Sequence, residues 1–241
     1  MTTSPVDPRF LRGGLVKICG LREPEHAATA AEAGADLLGF IFAQGRRKVT
    51  SEQAARCIEA ARRVRRAIGV DRDLLTVGVF VDAPAAEIVT TVDEARLDLV
   101  QLHGSETPGF AGSLPVPTIK TFKPRPTDAF ADTRDVADTY FSSIRPPVAL
   151  LIEGYHPAGA GGTGTVADWK AARMLATQRP TLLAGGLTPD NVGEAIATVR
   201  PLGVDVSSGV ERDGVKDPHL IAAFVATARH AFGTLEAPGE A

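Results

Sequence analysis

The sequence predicts an α/β fold, a single (β/α)8 TIM barrel, on three observations. The length of 241 residues is typical of a one-domain α/β barrel. Short apolar runs alternate along the chain with longer segments of helical character. About eight strand-helix units can be counted, which is the pattern of this fold. We expect the barrel to span residues 15–233, between a flexible arm over 1–14 and a disordered tail over 234–241.

The first half of the chain carries five predicted strands. Each is a nearly continuous apolar run, as expected for parallel strands covered on both faces, and they lie at 15–19, 37–42, 75–81, 99–104 and 118–122. Helices are predicted between them at 23–33, 51–68 and 84–94. Gly34 is the predicted stop of the first helix, and Ser51 is the predicted cap of the second. A less regular helical stretch is expected within 124–147.

Three more strands complete the predicted barrel, at 148–152, 181–184 and 203–206. Glu153 and a glycine-rich loop follow the first of these, and a helix is expected to begin near Asp168. Thr188 is the predicted cap of a helix that ends at Val199, with Pro189 at its first position. The last helix is predicted over 218–231.

The composition excludes several classes of protein. A formal net charge of −3 and a pI near 6.0 give no basic field for nucleic acid, and the arginine-rich run 62–66 is predicted to be a solvated helix face. The two cysteines, Cys19 and Cys57, offer neither a disulfide scaffold nor a zinc-binding spacing, so reduced thiols are expected. No apolar run has membrane-spanning length, and the N-terminus lacks a signal-peptide core. We therefore expect a cytoplasmic protein that binds neither membrane nor nucleic acid.

The stretch Val16-Lys17-Ile18-Cys19-Gly20-Leu21 carries the first candidate for chemistry. Side chains alternate between the faces of a strand, so Lys17 and Cys19 share one face. A thiol has an ordinary pKa of about 8.5, and a modest shift would make Cys19 a proton acceptor near neutral pH. The alternative is that Cys19 is a small buried apolar residue, as free cysteines usually are.

Further polar residues follow other predicted strands. Gln101 and His103 are two residues apart and therefore share one face of the fourth strand. In a (β/α)8 barrel the carboxyl ends of all strands meet at one rim, where the active site lies. The sequence predicts a polar pocket at this rim, lined by Cys19, Arg47, Gln101, His103, Glu153, Gly185, Gly186, Asp205, Ser207 and Ser208. Taken singly, His103 fits a structural histidine equally well, and Arg47 fits a solvated cation.

Three glycine-rich turns follow the last three predicted strands. Backbone N–H groups in such turns can approach an anion closely, and the dipole of a following helix favours negative charge. The last two of these loops are where this fold places a phosphate site. We predict a phosphorylated substrate held by Gly162, Gly164, Gly185, Gly186, Ser207, Ser208 and Gly209. The alternative is that these are tight barrel turns without a ligand.

Motifs in a fixed order run along nearly the whole chain, from Val16 to Phe224. They are KICGL at 17–21, GAD at 34–36 with GFIF at 39–42, VGVFV at 77–81, QLHG at 101–104, GGTG at 161–164 with DW at 168–169, AGGL at 184–187 with NV at 191–192, and DVSSGVE at 205–211. By these motifs the chain resembles the phosphoribosylanthranilate isomerase family of tryptophan biosynthesis. The family fold is a (β/α)8 barrel, in agreement with the strand count.

The resemblance implies an Amadori rearrangement of N-(5-phosphoribosyl)anthranilate to 1-(2-carboxyphenylamino)-1-deoxyribulose 5-phosphate. A general acid protonates the furanose ring oxygen, the ring opens to a Schiff base, and a general base removes the proton from C2 of the sugar. By position, the resemblance makes Cys19 the base and Glu153 the acid, and it places Arg47 near the anthranilate carboxylate. The implied substrate contacts are Lys17, Arg47, Gln101, His103 and Asp205. No metal or other cofactor is implied, and the family contains monomers and homodimers.

Two departures from the family pattern affect the predicted site. The family usually has aspartate where this chain has Glu153, and a misplacement of the carboxyl group by about 1 Å can cost on the order of a hundredfold in rate. The loop before Arg47 also differs, so either Arg46 or Arg47 could meet the carboxylate. Two alternatives therefore stay open: a paralogue that acts on a related phosphosugar amine in a specialised pathway, and a non-catalytic phosphate-binding barrel that has lost its acid.

Overall fold

A computed structural model describes residues 13–69, 74–124, 130–154 and 168–236 of the protein. Eight parallel strands form its centre: β1 (Leu15–Cys19), β2 (Leu37–Ile41), β3 (Leu75–Phe80), β4 (Leu99–Leu102), β5 (Thr118–Phe122), β6 (Ala149–Ile152), β7 (Thr181–Leu183) and β8 (Gly203–Val206). Each strand pairs with its neighbours in sequence, and β1 pairs with β8, which closes the barrel. The predicted fold is confirmed.

Helices follow the strands in alternation: α1 (Pro24–Ala33), α2 (Ser51–Ile68), α3 (Ala85–Ala95), α4 (Pro108–Ser113), α5 (Phe130–Phe141), α6 (Trp169–Ala176), α7 (Val192–Val199) and α8 (Pro218–Glu236). Local sequence explains several of their ends. Gly34 ends α1 in a left-handed conformation with φ of 99°, as predicted. Asp168 caps α6, because its side chain accepts hydrogen bonds from Lys170 N and Ala171 N at 2.9 and 3.1 Å.

The alternation of side chains along each strand creates two apolar cores. Outward-facing residues such as Val16 and Ile18 pack with the helices. Inward-facing residues such as Leu15, Leu75 and Ile119 fill the lower part of the barrel. Nearer the carboxyl ends of the strands the inward positions become polar yet stay buried, and they include Lys17, Gln101, Thr121 and Asp205. The end of the barrel where the strands begin is therefore filled by apolar side chains, and the end where the strands finish is lined by buried polar side chains.

Two predictions about α2 are wrong. Its cap is Thr50 rather than Ser51: Thr50 Oγ1 accepts a hydrogen bond from Gln53 N at 3.1 Å, and Gln53 Oε1 accepts one from Thr50 N at 2.9 Å. This capping box needs a Glu or Gln three residues after the cap, a spacing that only Thr50 provides. The run 62–66 is not solvated throughout, because Arg65 is buried and donates a hydrogen bond to Ala35 O.

Helix α7 begins at Val192, later than the predicted start near Thr188. Asn191 accepts a hydrogen bond from Thr188 N at 2.8 Å and donates one to Gly186 O at 2.9 Å. These bonds fold 188–191 into a turn that holds the preceding glycine pair. The helix starts only after that turn is complete.

Helix α8 continues to Glu236 instead of ending at Ala231, so the predicted disordered tail is wrong for 234–236. Phe232 is buried in the outer core and keeps the last turns of the helix on the barrel. Arg229 Nη1 donates to Gly14 O at 2.6 Å, which ties the helix to the start of β1. Residues 1–12 of the predicted arm and 237–241 of the predicted tail lie outside the described residues.

Two short elements were not predicted. One is α4, where Thr107 Oγ1 caps the helix by accepting a hydrogen bond from Phe110 N at 3.2 Å. The other is an antiparallel hairpin of β9 (Glu211–Arg212) and β10 (Val215–Lys216), which follows a 3-10 turn at Ser208–Val210. Across the described ranges, no helix has both the length and the apolar character needed to cross a membrane.

Candidate active site

An open pocket lies at the carboxyl ends of the strands. Its wall includes seven of the predicted site residues: Cys19, Arg47, Gln101, His103, Glu153, Asp205 and Ser207. Apolar side chains of Ile41, Val79 and Val81 also line it. The pocket combines an apolar surface with convergent polar groups, which is typical of a small-molecule site.

Cys19, at the end of β1, lies beside a buried ion pair. Lys17 Nζ donates to Asp205 Oδ1 at 2.9 Å, and the Lys17 side chain is fully buried. The two residues meet because β1 and β8 pair with Lys17 and Asp205 in register. The Lys17 ammonium also acts on the Cys19 side chain, whose thiolate form its charge favours. Lys17 is not part of the pocket wall, so its predicted contact with substrate stays a prediction.

The charges around Cys19 act on its pKa in opposite directions. Burial raises the thiol pKa above its ordinary value, Lys17 opposes this rise, and Asp205 adds to it. The protein without ligand therefore does not supply a lowered thiol pKa. Burial acts to lower the pKa of Lys17, but Asp205 and Cys19 outweigh it, so the Lys17 pKa is raised and the group stays an ammonium beside the thiol.

Gly39 on β2 provides the space for this cluster. Cys19 and Gly39 pair across the two strands. A Cβ at position 39 would lie 2.8 Å from Cys19 Sγ and 3.1 Å from Lys17 Nζ, which is closer than such atoms normally approach. A side chain here would displace either the thiol or the ammonium.

Glu153 follows β6 on the other side of the pocket and lies beside His103. His103 Nε2 lies 3.1 Å from Glu153 Oε2, and the two side chains are only 9% and 12% exposed. The other ring nitrogen, Nδ1, lies 3.0 Å from Gln101 Nε2 and 3.1 Å from Thr121 Oγ1. Lys123 Nζ is 3.9 Å from Glu153 Oε2, and burial lowers the pKa of Lys123. The predicted shared face of Gln101 and His103 is confirmed.

Arg47 projects into the pocket and is held by Glu211 of the hairpin. Arg47 Nε and Nη2 donate to the two Glu211 oxygens at 2.7 and 2.9 Å. Arg46 and Lys216 contact the same carboxylate at 3.0 and 3.1 Å. Burial would raise the pKa of Glu211, but the hydrogen bonds and charges of these cations lower it to about 2. Three cations around one carboxylate leave an excess of positive charge at this end of the pocket.

The exposures of Arg46 and Arg47 distinguish the two candidate carboxylate ligands. The Arg47 side chain is 12% exposed, whereas that of Arg46 is 55% exposed. Both contribute to the pocket wall. Arg47 is therefore the better-ordered cation, because it makes the bidentate pair with a buried carboxylate.

The two glycine-rich turns after β7 and β8 form a second, adjoining pocket. Its wall includes all five of the predicted phosphate contacts in this part of the chain: Gly185, Gly186, Ser207, Ser208 and Gly209. Gly185 and Gly186 have φ of 87° and 64°, a conformation that favours glycine. A Cβ at Gly209 would lie 1.8 Å from Leu187 O, so only glycine fits there. The predicted contacts Gly162 and Gly164 lie outside the described residues.

Comparison with known proteins identifies the family. The family model described as N-(5'phosphoribosyl)anthranilate (PRA) isomerase matches residues 16–227, which is most of the chain. The chain belongs to the PRA isomerase family. The resemblance drawn from the sequence motifs is thereby confirmed.

Relatives and solved structures of PRA isomerases agree over nearly their whole length. The chain is 45% identical over 218 residues to N-(5'-phosphoribosyl)anthranilate isomerase of Roseiflexus castenholzii, covering 90% of this chain and 99% of the relative. The phosphoribosyl anthranilate isomerase structure from Thermus thermophilus shares 34% identity with a TM-score of 0.73, covering 92% and 100%. Another PRA isomerase, solved in complex with reduced 1-(o-carboxyphenylamino)-1-deoxyribulose 5-phosphate, shares 29% identity with a TM-score of 0.70, covering 90% and 98%.

Some residues of this PRA isomerase site were missed by the sequence reasoning. Thr121 and Lys123 continue the inward face of β5, and a period of two from the apolar Ile119 would have found them. Glu211 and Lys216 reach the site through the unpredicted hairpin, for which the sequence carries no comparable signal. Among the described residues, no group of three or more His, Cys, Asp or Glu side chains could hold a metal ion.

Proposed function

We propose that this chain catalyses the reaction of its family, the Amadori rearrangement of N-(5-phosphoribosyl)anthranilate to 1-(2-carboxyphenylamino)-1-deoxyribulose 5-phosphate in tryptophan biosynthesis. One observation carries the assignment of roles: Cys19 and Glu153 line the same pocket from β1 and β6. A phosphate-type pocket adjoins it and includes Glu153 in its wall. Family membership supports the reaction, and the position of Cys19 and Glu153 in one pocket supports their proposed roles as base and acid.

Cys19 is the proposed base and Glu153 the proposed acid. Protonation of the furanose ring oxygen by Glu153 opens the ring to a Schiff base, and Cys19 then takes the proton from C2 of the sugar. Cys19 must lose its own proton first, which burial opposes and the Lys17 ammonium favours. Cys19 is buried and the Glu153 side chain is 12% exposed, so little water reaches these two groups.

The remaining contacts follow the charge of the substrate. Arg47, at the cationic end of the pocket, is the proposed partner of the anthranilate carboxylate. Gln101, His103 and Asp205 line the same pocket, and Asp205 also lines the adjoining pocket of the glycine turns. The proposed phosphate contacts are the N–H and hydroxyl groups of the turns, with Gly162 and Gly164 added by analogy with the family motif.

Several broader inferences accompany this proposal. We infer that the protein acts in the cytoplasm on a small phosphosugar, without nucleic acid or membrane, and without a cofactor. It is a monomer or a homodimer. The proposed domain is the barrel from 15 to the end of α8, preceded by the arm over 1–14.

The decisive experiment is turnover of freshly prepared phosphoribosylanthranilate, followed by loss of its fluorescence. We expect the wild type to turn over, and Cys19→Ser and Glu153→Gln to lose roughly 10²–10⁴-fold in rate with the fold intact by circular dichroism. Cys57→Ala is the matched control, because that thiol lies in the outer core and its pKa is raised to about 12 by burial. Near-normal rates in both site variants would contradict the roles. Preference of the wild type for a related phosphosugar amine would favour the paralogue.

A further inference from the structure

Lys216, the last residue of the hairpin, is a buried lysine that contacts two separate parts of the site. Its side chain is only 3% exposed. The Nζ atom donates to the Ser207 carbonyl oxygen at 2.8 Å and to Glu211 Oε1 at 3.1 Å. The contact with Glu211 follows from the pairing of the two residues across β9 and β10. The contact with Ser207 joins the hairpin to the glycine-rich turn that follows β8.

Glu211 does not need Lys216 to balance its charge. Arg47 already donates to both carboxylate oxygens at 2.7 and 2.9 Å, and Arg46 donates to one of them at 3.0 Å. Burial disfavours the Lys216 ammonium and lowers its pKa, although Glu211 opposes this shift. Among the described residues, Lys216 is the one of these three cations that contacts the Ser207 carbonyl. This contact is therefore what distinguishes Lys216 from the two arginines.

The Ser207 carbonyl determines the direction of the next N–H group. In a trans peptide the C=O of one residue and the N–H of the next point in opposite directions, and the peptide bonds described in this structure include no cis bond. Holding Ser207 O on Lys216 therefore turns the Ser208 N–H away from Lys216. Ser208 is part of the wall of the glycine-turn pocket. Lys216 thus orients one N–H group of the proposed phosphate site.

The two parts of the site that Lys216 contacts approach each other next to the proposed base. A Cβ at Gly20 would lie 2.7 Å from Arg47 Cδ and 3.1 Å from Ser207 Oγ, so these two side chains converge directly after Cys19. Arg47 lines the main pocket, and Ser207 lines both pockets. Lys216 is not part of either wall, so it acts on the site from behind.

We propose that Lys216 is a positioning residue that fixes the carboxylate-binding end and the phosphate-binding end of the site relative to each other. It acts on Arg47 through Glu211 at one end, and on the phosphate turn through the Ser207 carbonyl at the other. This proposal rests on the proposed function, which assigns the two anionic groups of the substrate to these ends. A ligand that carries both groups gains affinity when the distance between their binding sites is fixed in advance.

The test is the affinity of Lys216→Met for three ligands, measured by isothermal titration calorimetry. The complete ligand is reduced 1-(o-carboxyphenylamino)-1-deoxyribulose 5-phosphate, and the other two are analogues that lack its phosphate or its carboxylate. We expect the variant to bind the complete ligand about ten- to a hundredfold more weakly than the wild type, because both ends are less preorganised. The loss should be smaller for each truncated ligand, which uses only one end. An equal loss for all three ligands, or a loss that only one truncation reduces, would overturn the proposal.

Two further variants control this measurement. Lys170→Met makes the same substitution at an exposed lysine of α6 and should leave all three affinities unchanged. Lys216→Gln keeps an N–H donor for the Ser207 carbonyl, so it should lose less affinity for the complete ligand than Lys216→Met. It also provides the same test if the methionine variant does not fold. Equal affinities of the two folded Lys216 variants would contradict the proposal.

Turnover of phosphoribosylanthranilate by the wild type separates this proposal from the proposed function. If the wild type turns over and Lys216→Met loses affinity equally for all three ligands, the role of Lys216 is wrong and the proposed function stands. If the wild type neither turns over nor prefers the complete ligand to the truncated ones, the proposed function and the role of Lys216 are both wrong.

Discussion

The two walls of the pocket hold their reactive groups in different ways. The β1 wall, made by β1, β2, β8 and the hairpin, surrounds Cys19 with the buried ion pairs of Lys17 and Glu211. The β4 wall, made by β4, β5 and β6, places Glu153 beside His103, whose Nδ1 lies within hydrogen-bond distance of the uncharged side chains of Gln101 and Thr121. Nearby charges shift the pKa of a group directly, so the proton affinity of Cys19 depends on its charged neighbours. The β1 wall is therefore dominated by ion pairs, whereas the contacts of His103 in the β4 wall are to the uncharged side chains of Gln101 and Thr121 and to Glu153.

Removing the central charge of the β1 wall should have the largest effect. Lys17→Met leaves the Asp205 carboxylate buried without its ammonium, so we expect the free energy of unfolding to fall by about 3–5 kcal/mol in urea denaturation. The double variant Lys17→Met with Asp205→Asn removes both charges and should regain most of that loss. If the single variant unfolds like the wild type, the ion pair contributes little.

The double variant also isolates the effect of Lys17 on the thiol. Lys17 lowers the Cys19 pKa by more than Asp205 raises it, so we expect the midpoint of alkylation against pH to move upward when both are removed. In the wild type the midpoint should already lie above the ordinary thiol value of about 8.5. A small alkylating reagent in a Cys57→Ala background gives the measurement. A midpoint that does not move would mean that Lys17 leaves the base unchanged.

Shortening the acid tests the β4 wall. Glu153→Asp shortens the side chain by one methylene and draws the carboxyl group away from His103, whose Nε2 lies 3.1 Å from Glu153 Oε2 in the wild type. We expect kcat for phosphoribosylanthranilate to fall about ten- to a hundredfold, with KM changed much less. Faster turnover by the aspartate variant would show that the contact with His103 is unproductive in this chain.

Whether a site residue lies on a regular strand or on the hairpin explains whether its position could be predicted from the sequence. Cys19 and Gln101 lie on regular strands and His103 directly follows one, so a period of two and the common rim of the barrel fix their positions. Glu211 could not be placed this way, because it reaches Arg47 through a hairpin that the apolar pattern does not reveal. The pKa of Cys19 was also not predictable, since it depends on burial and on Asp205, far along the chain.

Glu211→Gln should loosen the substrate-binding part of the β1 wall. The amide that replaces the carboxylate can accept at one oxygen only, so Arg47 loses its bidentate partner. We expect KM to rise about tenfold with kcat changed little, as for a loss of uniform binding. Arg46→Met is the comparison, since that side chain is 55% exposed, and its effect on KM should be smaller. A larger effect from Arg46→Met would make Arg46 the carboxylate ligand.

The smallest expected effect is on stability at low pH, and it separates the two walls. The pKa of Glu211 is lowered from 4.5 to about 2 in the folded protein, so its contribution is present above pH 4.5 and is lost as the pH falls toward 2. Allowing for solvent screening, this contribution is on the order of 1–2 kcal/mol. The difference in unfolding free energy between the wild type and Glu211→Gln should therefore shrink between about pH 5 and pH 2.5, in urea titrations at each pH. Thr121→Val removes an uncharged hydroxyl from the β4 wall, so its difference from the wild type should stay constant over the same range. If both differences change alike with pH, the ion pairs of the β1 wall are not what distinguishes it from the β4 wall.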